Sequence, residues 1–149
     1  MAYIHYGSPQ FSLERFDQPR NTRGWNKPKG GLWASDEAAK YGWKDWCEAE
    51  HFRECRDENA FRFELAPTAN ILLLDSKDAV GRLPEQNLGY SSQCCKAIDF
   101  ERLVCDGVDA IDFKLSADPR LYWSMYGWDC DCSLILNPNV IIPKKVVGK

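Results

Sequence analysis

Three short segments carry the side chains best suited to hold a flat, polar ligand. His5-Tyr6-Gly7-Ser8 closes a short apolar stretch, Gly31-Leu32-Trp33-Ala34-Ser35 precedes a run of acidic and small residues, and Asp129-Cys130-Asp131 leads into a late apolar segment. Imidazole and hydroxyl groups both donate and accept hydrogen bonds, and a glycine lets the backbone approach a ligand with no Cβ in the way. The indole of Trp33 offers a broad face for stacking, with Tyr41 or Trp43 as the opposite wall. A carboxylate at Asp131 can bond a hydroxyl and stand near a developing positive charge. Asp129 is the alternate, because residues i and i+2 share a strand face.

The cysteines offer a different chemistry. There are seven, at 47, 55, 94, 95, 105, 130 and 132. An odd number without a secretion signal fits reduced thiols in a cytosol better than a disulfide framework. Most are expected to serve as small buried apolar groups. Cys47, His51 and Cys55 fall at i, i+4 and i+8, one face of a helix, a spacing that suits metal ligation. There is no Cys-x-x-Cys pair, and the adjacent Cys94 and Cys95 cannot easily aim at one metal. No metal is therefore expected, and no motif marks a particular cysteine as a nucleophile.

The elements that must position these groups follow from periodicity. Residues 2–6 read as an opening strand closed by Gly7-Ser8-Pro9. Residues 7–30 contain Pro9, Pro19, Gly24, Pro28 and Gly30 and read as a long loop, a length usually tied to function or disorder. Its five cations, Arg15, Arg20, Arg23, Lys27 and Lys29, face two carboxylates, Glu14 and Asp17, a local charge of +3 that suits an anionic ligand or partner. Residues 31–35 read as a second strand. Ser35 then caps a helix expected to run to about residue 50, with Asp36 and Glu37 in its first turn. Residues 60–66 alternate strictly and read as the clearest strand. A strand at 70–74, a helix at 76–83 capped by Ser76, an irregular stretch at 85–95 and a helix at 97–105 stopped by Gly107 come next. Strands at 108–115, 131–136 and 140–146 complete the pattern, with a helical turn at 119–126 and a tight turn at 137–139. This order lacks the regular β–α alternation of a parallel sheet and predicts a mixed, mostly antiparallel α+β fold with short helices.

The chain has 149 residues, which predicts a single domain over 1–149. Its net charge of −3 argues against broad electrostatic capture of nucleic acid. No long apolar run opens the chain, and none reaches the 18 residues of a membrane span, so neither a signal peptide nor a membrane partner is expected, and a cytoplasmic protein is.

Taken in order, the three segments resemble the NAD-dependent ADP-ribosyltransferase family, in its diphtheria-toxin-like and poly-ADP-ribose-polymerase-like branch. There a His-Gly-Ser or His-Gly-Thr triplet ends the first strand, a Gly-Ile-Tyr-Phe-Ala-like segment enters a helix, and a Glu opens a later strand. Residues 31–41 look like the second segment and its helix, and residues 63–74 look like the strand-turn-strand before the middle of such domains. Three departures stand out: the extra Tyr6 between His5 and Gly7, Trp33 in place of Tyr, and Asp in place of the catalytic Glu. If His5 and Gly7 act together, a bulge or twist must absorb Tyr6.

The resemblance implies a split β core and a mono-ADP-ribosyltransferase with NAD as substrate, of the kind a bacterial or phage effector uses inside a cell. His5 would bond a ribose hydroxyl and Gly7 and Ser8 the nicotinamide amide. Trp33 would stack on the ring, and Ser35 and Tyr41 would lie along the same pocket. The basic strip, with Arg23, would reach the pyrophosphate. Asp131, with His5, would be catalytic, and a macromolecular acceptor, protein rather than nucleic acid, would attack the ribose C1′. Tyr122, Trp123 and Tyr126 sit where that family contacts its acceptor. Two other readings remain open: a non-catalytic binder of NAD or an ADP-ribose-like nucleotide, and an interaction module that uses its Trp-rich surface.

Overall fold

The strand β1, Tyr3–Tyr6, pairs antiparallel with both β4, Leu32–Asp36, and β5, Ala60–Leu65, and so lies inside the sheet. The other strands are β2, Arg20–Thr22; β3, Trp25–Lys29; β6, Ile71–Leu74; β7, Ala110–Phe113; β8, Cys132–Ile135; and β9, Ile141–Pro143. The helices are α1, Trp43–Ala49; α2, Lys77–Gly81; α3, Phe100–Cys105; and α4, Leu121–Ser124. This computed structural model describes residues 1–88 and 96–145. Seven strands form one sheet in the order β6-β7-β8-β4-β1-β5-β9, and β2 and β3 form a separate hairpin. Only β6 and β7 run parallel, and α2 and α3 lie in the long connection that such a pair requires. The fold is therefore mixed α+β and mostly antiparallel, as the order of elements predicts.

The sheet changes partners along β4. Leu32, Trp33 and Ala34 pair with β8, whereas Ser35 and Asp36 pair with β1. Pairing between β1 and β4 stops at Ile4–Ser35, so His5 and Tyr6 leave β4 while keeping unbroken register with β5. The resulting gap is the structural basis of the site. No bulge absorbs Tyr6: the chain turns at Gly7 instead, whose φ of +124° suits a residue without a side chain.

Side-chain alternation on β4, β7 and β8 divides the interior between the two faces of the sheet. Ile111, Phe113, Cys132 and Leu134 join one cluster with Phe100, Leu121, Met125 and Trp128. Ala34, Ala110 and Ile135 join the other with Tyr3, Phe61, Phe63, Val140 and Ile141. Because both faces are covered, all four residues of β7 and of β8 are buried.

Several boundaries differ from the pattern read in the sequence. The loop at 7–30 contains the β2–β3 hairpin. Its inward positions on β3 are Asn26 and Pro28 rather than apolar side chains, which conceals the alternation. Ser35 and Asp36 belong to β4, because Tyr3 and Ile4 claim them for the sheet, so the helix begins only at Trp43. Ser35 still caps it, from a distance: its hydroxyl accepts the Trp43 N–H at 3.0 Å, and the Asp45 carboxylate accepts the Gly42 N–H at 2.8 Å. The acid in the first turn is thus Asp45 and not Asp36 or Glu37. Because α1 ends at Ala49 and His51 takes φ +51°, Cys47, His51 and Cys55 do not share one helical face. Among the described residues, no group of three or more His, Cys, Asp or Glu is placed to hold a metal. Cys94 and Cys95, most of the irregular stretch at 85–95, and the end of the strand read at 140–146 lie outside the described residues. No described helix is long and apolar enough to cross a membrane.

Candidate functional site

Where β1 leaves β4, a cleft of about 270 Å³ opens, lined by His5 and Tyr6 from one strand and Trp33 and Ala34 from the other. Trp43, Arg53, Lys27 and the segment Gly127-Trp128-Asp129-Cys130 complete its walls. The elements place each of these for local reasons. His5 replaces the missing ladder bond with its side chain: Nδ1 donates to the Trp33 carbonyl at 2.6 Å. A carbonyl only accepts, so Nδ1 carries the hydrogen and Nε2 is the free acceptor of a neutral ring. Burial lowers the His5 pKa below its ordinary 6.5, outweighing the opposing pull of that hydrogen bond. At neutral pH the cleft therefore holds an uncharged imidazole with one lone pair available.

Trp33 packs edge-on against buried Trp128, their ring centroids 4.7 Å apart. Trp128 in turn touches Phe100 and Phe113 and donates its indole N–H to the Asn26 carbonyl. This chain of rings ties one wall of the cleft to the core. Trp43 stacks on Trp46 at 5.1 Å, both contact Phe52, and the Arg53 guanidinium lies over Trp43 and Phe52. The Lys27 ammonium lies 5.7 Å from the centre of the Trp33 ring. Among the described residues, two cations thus line the cleft against one carboxylate, Asp129.

Of the residues singled out in the sequence, His5 and Trp33 meet in this cleft, and Trp43 rather than Tyr41 forms the aromatic wall. Gly7 lies at its edge: a Cβ there would stand 3.6 Å from His5 Nε2. The Gly7 N–H is bound to the Asn59 carbonyl at 2.8 Å, and the Ser8 hydroxyl donates to the Gln10 carbonyl. Tyr41 is exposed, and its carbonyl accepts the Asp131 N–H. Ser35 is buried, donating to the Asp131 carbonyl while it caps α1. Arg23 sits in the hairpin turn and donates to the Leu88 carbonyl.

The two aspartates part company. Asp131 is buried, and its carboxylate accepts the Ser116 N–H at 2.9 Å and the Ser116 hydroxyl at 2.6 Å, which secures the loop before α4. Asp129 is the one that lines the cleft. Trp128 and Arg53 join the site without having been assigned to it, and Lys27 joins it from among the cations expected to meet an anionic ligand. Lys27 lies in the basic strip, whereas no signal in the sequence marks Arg53.

Two of the buried thiols are poorly suited to act as nucleophiles. Burial and a neighbouring Cys55 push the Cys47 thiol up to about 12, and a hydrogen bond with Cys130 together with burial raises Cys132 well above the ordinary range. Both thiols stay protonated at neutral pH, and the thiolate is the nucleophile. No protein-family model matches the chain, and no curated protein or solved structure matches it.

Proposed function

We propose that this cleft takes the nicotinamide-ribose end of NAD and that the chain is a mono-ADP-ribosyltransferase. The observation that carries the reading is the split between β1 and β4, where neutral His5 and Trp33 are bonded across the gap and Asp129 stands on the same cleft. The lone pair on His5 Nε2 suits a ribose hydroxyl, and Trp33 and Trp43 present flat surfaces to a planar ring. Lys27 and Arg53 outnumber the single carboxylate, which suits a pyrophosphate. Ligand pockets typically measure about 300–1,000 Å³. A cleft just below that range takes the ring and its ribose and leaves the remaining dinucleotide along the rim.

In the reaction, the bond from the ribose C1′ to the nicotinamide nitrogen breaks, and its electron pair leaves on nicotinamide. A nucleophile of a protein or nucleic-acid acceptor forms the new bond to C1′ and loses its proton to solvent. Positive charge grows on the ribose as the bond stretches, and a carboxylate in the cleft stabilises it. Asp129 takes that role in this proposal, because the Asp131 carboxylate is committed to Ser116. The setting is a reducing cytoplasm, where the thiols remain free.

The engagement of Asp131 also favours a second reading, a non-catalytic binder of NAD or ADP-ribose. Incubation with labelled NAD and a cell extract separates the two. The transferase reading expects label on a macromolecule and released nicotinamide, both cut by about 100-fold or more in Asp129→Asn while NAD binding persists. Tight binding without nicotinamide release identifies the binder. Absence of any thermal shift with NAD or ADP-ribose rejects both.

A further inference from the structure

We infer that the exposed face of the β2–β3 hairpin, together with the aromatic side chains of α4 and the turn after it, is a binding surface for single-stranded nucleic acid. On β3, Asn26 and Pro28 point inward, so Trp25, Lys27 and Lys29 emerge together on the outward face. Arg20 of β2 lies directly opposite Lys29 and is exposed as well. Like charges directly opposite each other destabilise a strand pair. Neither Arg20 nor Lys29 forms an ion pair among the described residues, and the hairpin at 20–29 contains no acidic residue. A bound polyanion would relieve this repulsion.

The aromatic half of the surface adjoins the cationic half. Trp25 touches Tyr126 at 6.0 Å between centroids, Tyr126 lies parallel to Trp123, and Tyr122 meets both of them edge-on. These rings are 48%, 50%, 73% and 40% exposed for Trp25, Tyr126, Trp123 and Tyr122. Four neighbouring rings left this open are costly unless a partner covers them. Flat rings beside a row of cations match a polynucleotide with unpaired bases, which stack on the rings while the phosphates follow the cations. A duplex hides its base faces and cannot use the rings in this way.

The surface is rigidly backed. Asn26 donates to the Lys96 and Ser124 carbonyls and accepts the Ile98 N–H, fixing β3 to the segment that carries the rings. Two carboxylates approach the hairpin from its α3 side, Asp99 and Glu101, and both accept hydrogen bonds from Asn21. Arg20, Arg23, Lys27 and Lys29 outnumber these two carboxylates, so the chain's net charge of −3 is locally reversed. Lys27 belongs to this face and also to the cleft, so a strand bound here passes the cleft mouth. The inference stands without the nucleotide reading, since it concerns binding in the absence of NAD.

The experiment is fluorescence anisotropy with the full chain and labelled 12-nucleotide DNA and RNA strands, alongside a duplex of the same sequence. The expected result is binding to one or both single strands, weaker binding to the duplex, and loss of affinity as salt rises. Trp123→Ala should weaken binding by about tenfold through the lost stacking. Lys29→Gln should weaken it less and reduce the salt slope by about one. Both side chains are exposed, and unchanged melting temperatures confirm that the variants fold. No anisotropy change with any strand overturns the inference, as does equal binding to the duplex, or single-strand binding that both variants leave intact.

Discussion

An imidazole whose Nδ1–H is spent on a carbonyl has one thing left to offer the cleft, the lone pair on Nε2. Protonation replaces that lone pair with a donor, so any ligand hydroxyl that donates to it is lost. Burial holds the His5 pKa below 6.5, which places the change on the acid side of that value. Calorimetric titration with NAD between pH 5 and 8 should therefore give constant affinity at neutral pH and a decline below 6.5. His5→Asn should bind more weakly and lose that pH dependence. Affinity that rises on acidification would contradict the assignment. Stability follows the same sign, because the unfolded chain takes up this proton first: the contribution is fully present above 6.5 and lost as pH falls through the folded-state value. His5 and Trp33, which meet in one cleft, were legible in the sequence because a hydrogen-bonding ring and a broad flat ring stand out by residue type. The choice between Asp129 and Asp131 was not, since the sequence pattern puts both on one strand face, whereas both precede β8 in the structure. What separates them is Ser116, which occupies the Asp131 carboxylate through a contact that arises only from tertiary packing.

At the scale of elements, side chains read as ligand contacts also serve as joints of the scaffold. Ser35 accepts from Trp43 and donates to Asp131, so it links β4, α1 and the start of β8. Ser35→Ala should cost about 1–2 kcal/mol in chemical denaturation, as the loss of a helix cap and a buried hydrogen bond predicts. Folded Ser35→Ala protein should still bind NAD with nearly unchanged affinity, and a large loss of affinity at unchanged stability would restore Ser35 to the pocket. Asn26 is a stronger case. Its amide serves three backbone groups, and Asn26→Ala should cost about 3 kcal/mol at roughly 1 kcal/mol for each bond, seen as a lower denaturation midpoint. The strands at 60–65 and 71–74 were readable from alternation and apolar runs, and α2 from its Ser76 cap, whose hydroxyl accepts the Ala79 N–H. The hairpin was hidden because its buried positions are polar or proline, held by side-chain bonds to distant carbonyls. The late start of α1 was hidden because sheet pairing by Tyr3 and Ile4 overrides the helical pattern of residues 36–42.

Across the whole molecule, strands on either side of β4 are joined by a buried polar relay as well as by apolar packing. The Tyr3 hydroxyl of β1 donates to the Asp112 carboxylate of β7 at 3.0 Å, and the Ser133 hydroxyl of β8 donates to the same group at 2.7 Å. All three residues are buried, and among the described residues no buried side-chain polar atom lacks a partner. Burial, followed by the nearby Asp112 carboxylate, drives the Tyr3 pKa far above its ordinary 10. The sign of the resulting linkage is opposite to that of His5. A group whose pKa is raised on folding contributes stability that is fully present below the unfolded value and lost as pH rises beyond it. Stability should therefore hold up to about pH 10 and then fall, with Tyr3 contributing about 1.4 kcal/mol per pH unit to the slope. Tyr3→Phe removes that contribution and flattens the alkaline limb, at a cost near neutral pH of about 1–3 kcal/mol for the donor taken from a buried carboxylate. Denaturant midpoints measured from pH 7 to 11 for both proteins test this directly. Parallel alkaline limbs would show that the relay does not couple the sheet's stability to proton loss at Tyr3. Converging limbs would show that one buried phenol, 109 residues away in sequence from its acceptor, helps hold the split sheet in register.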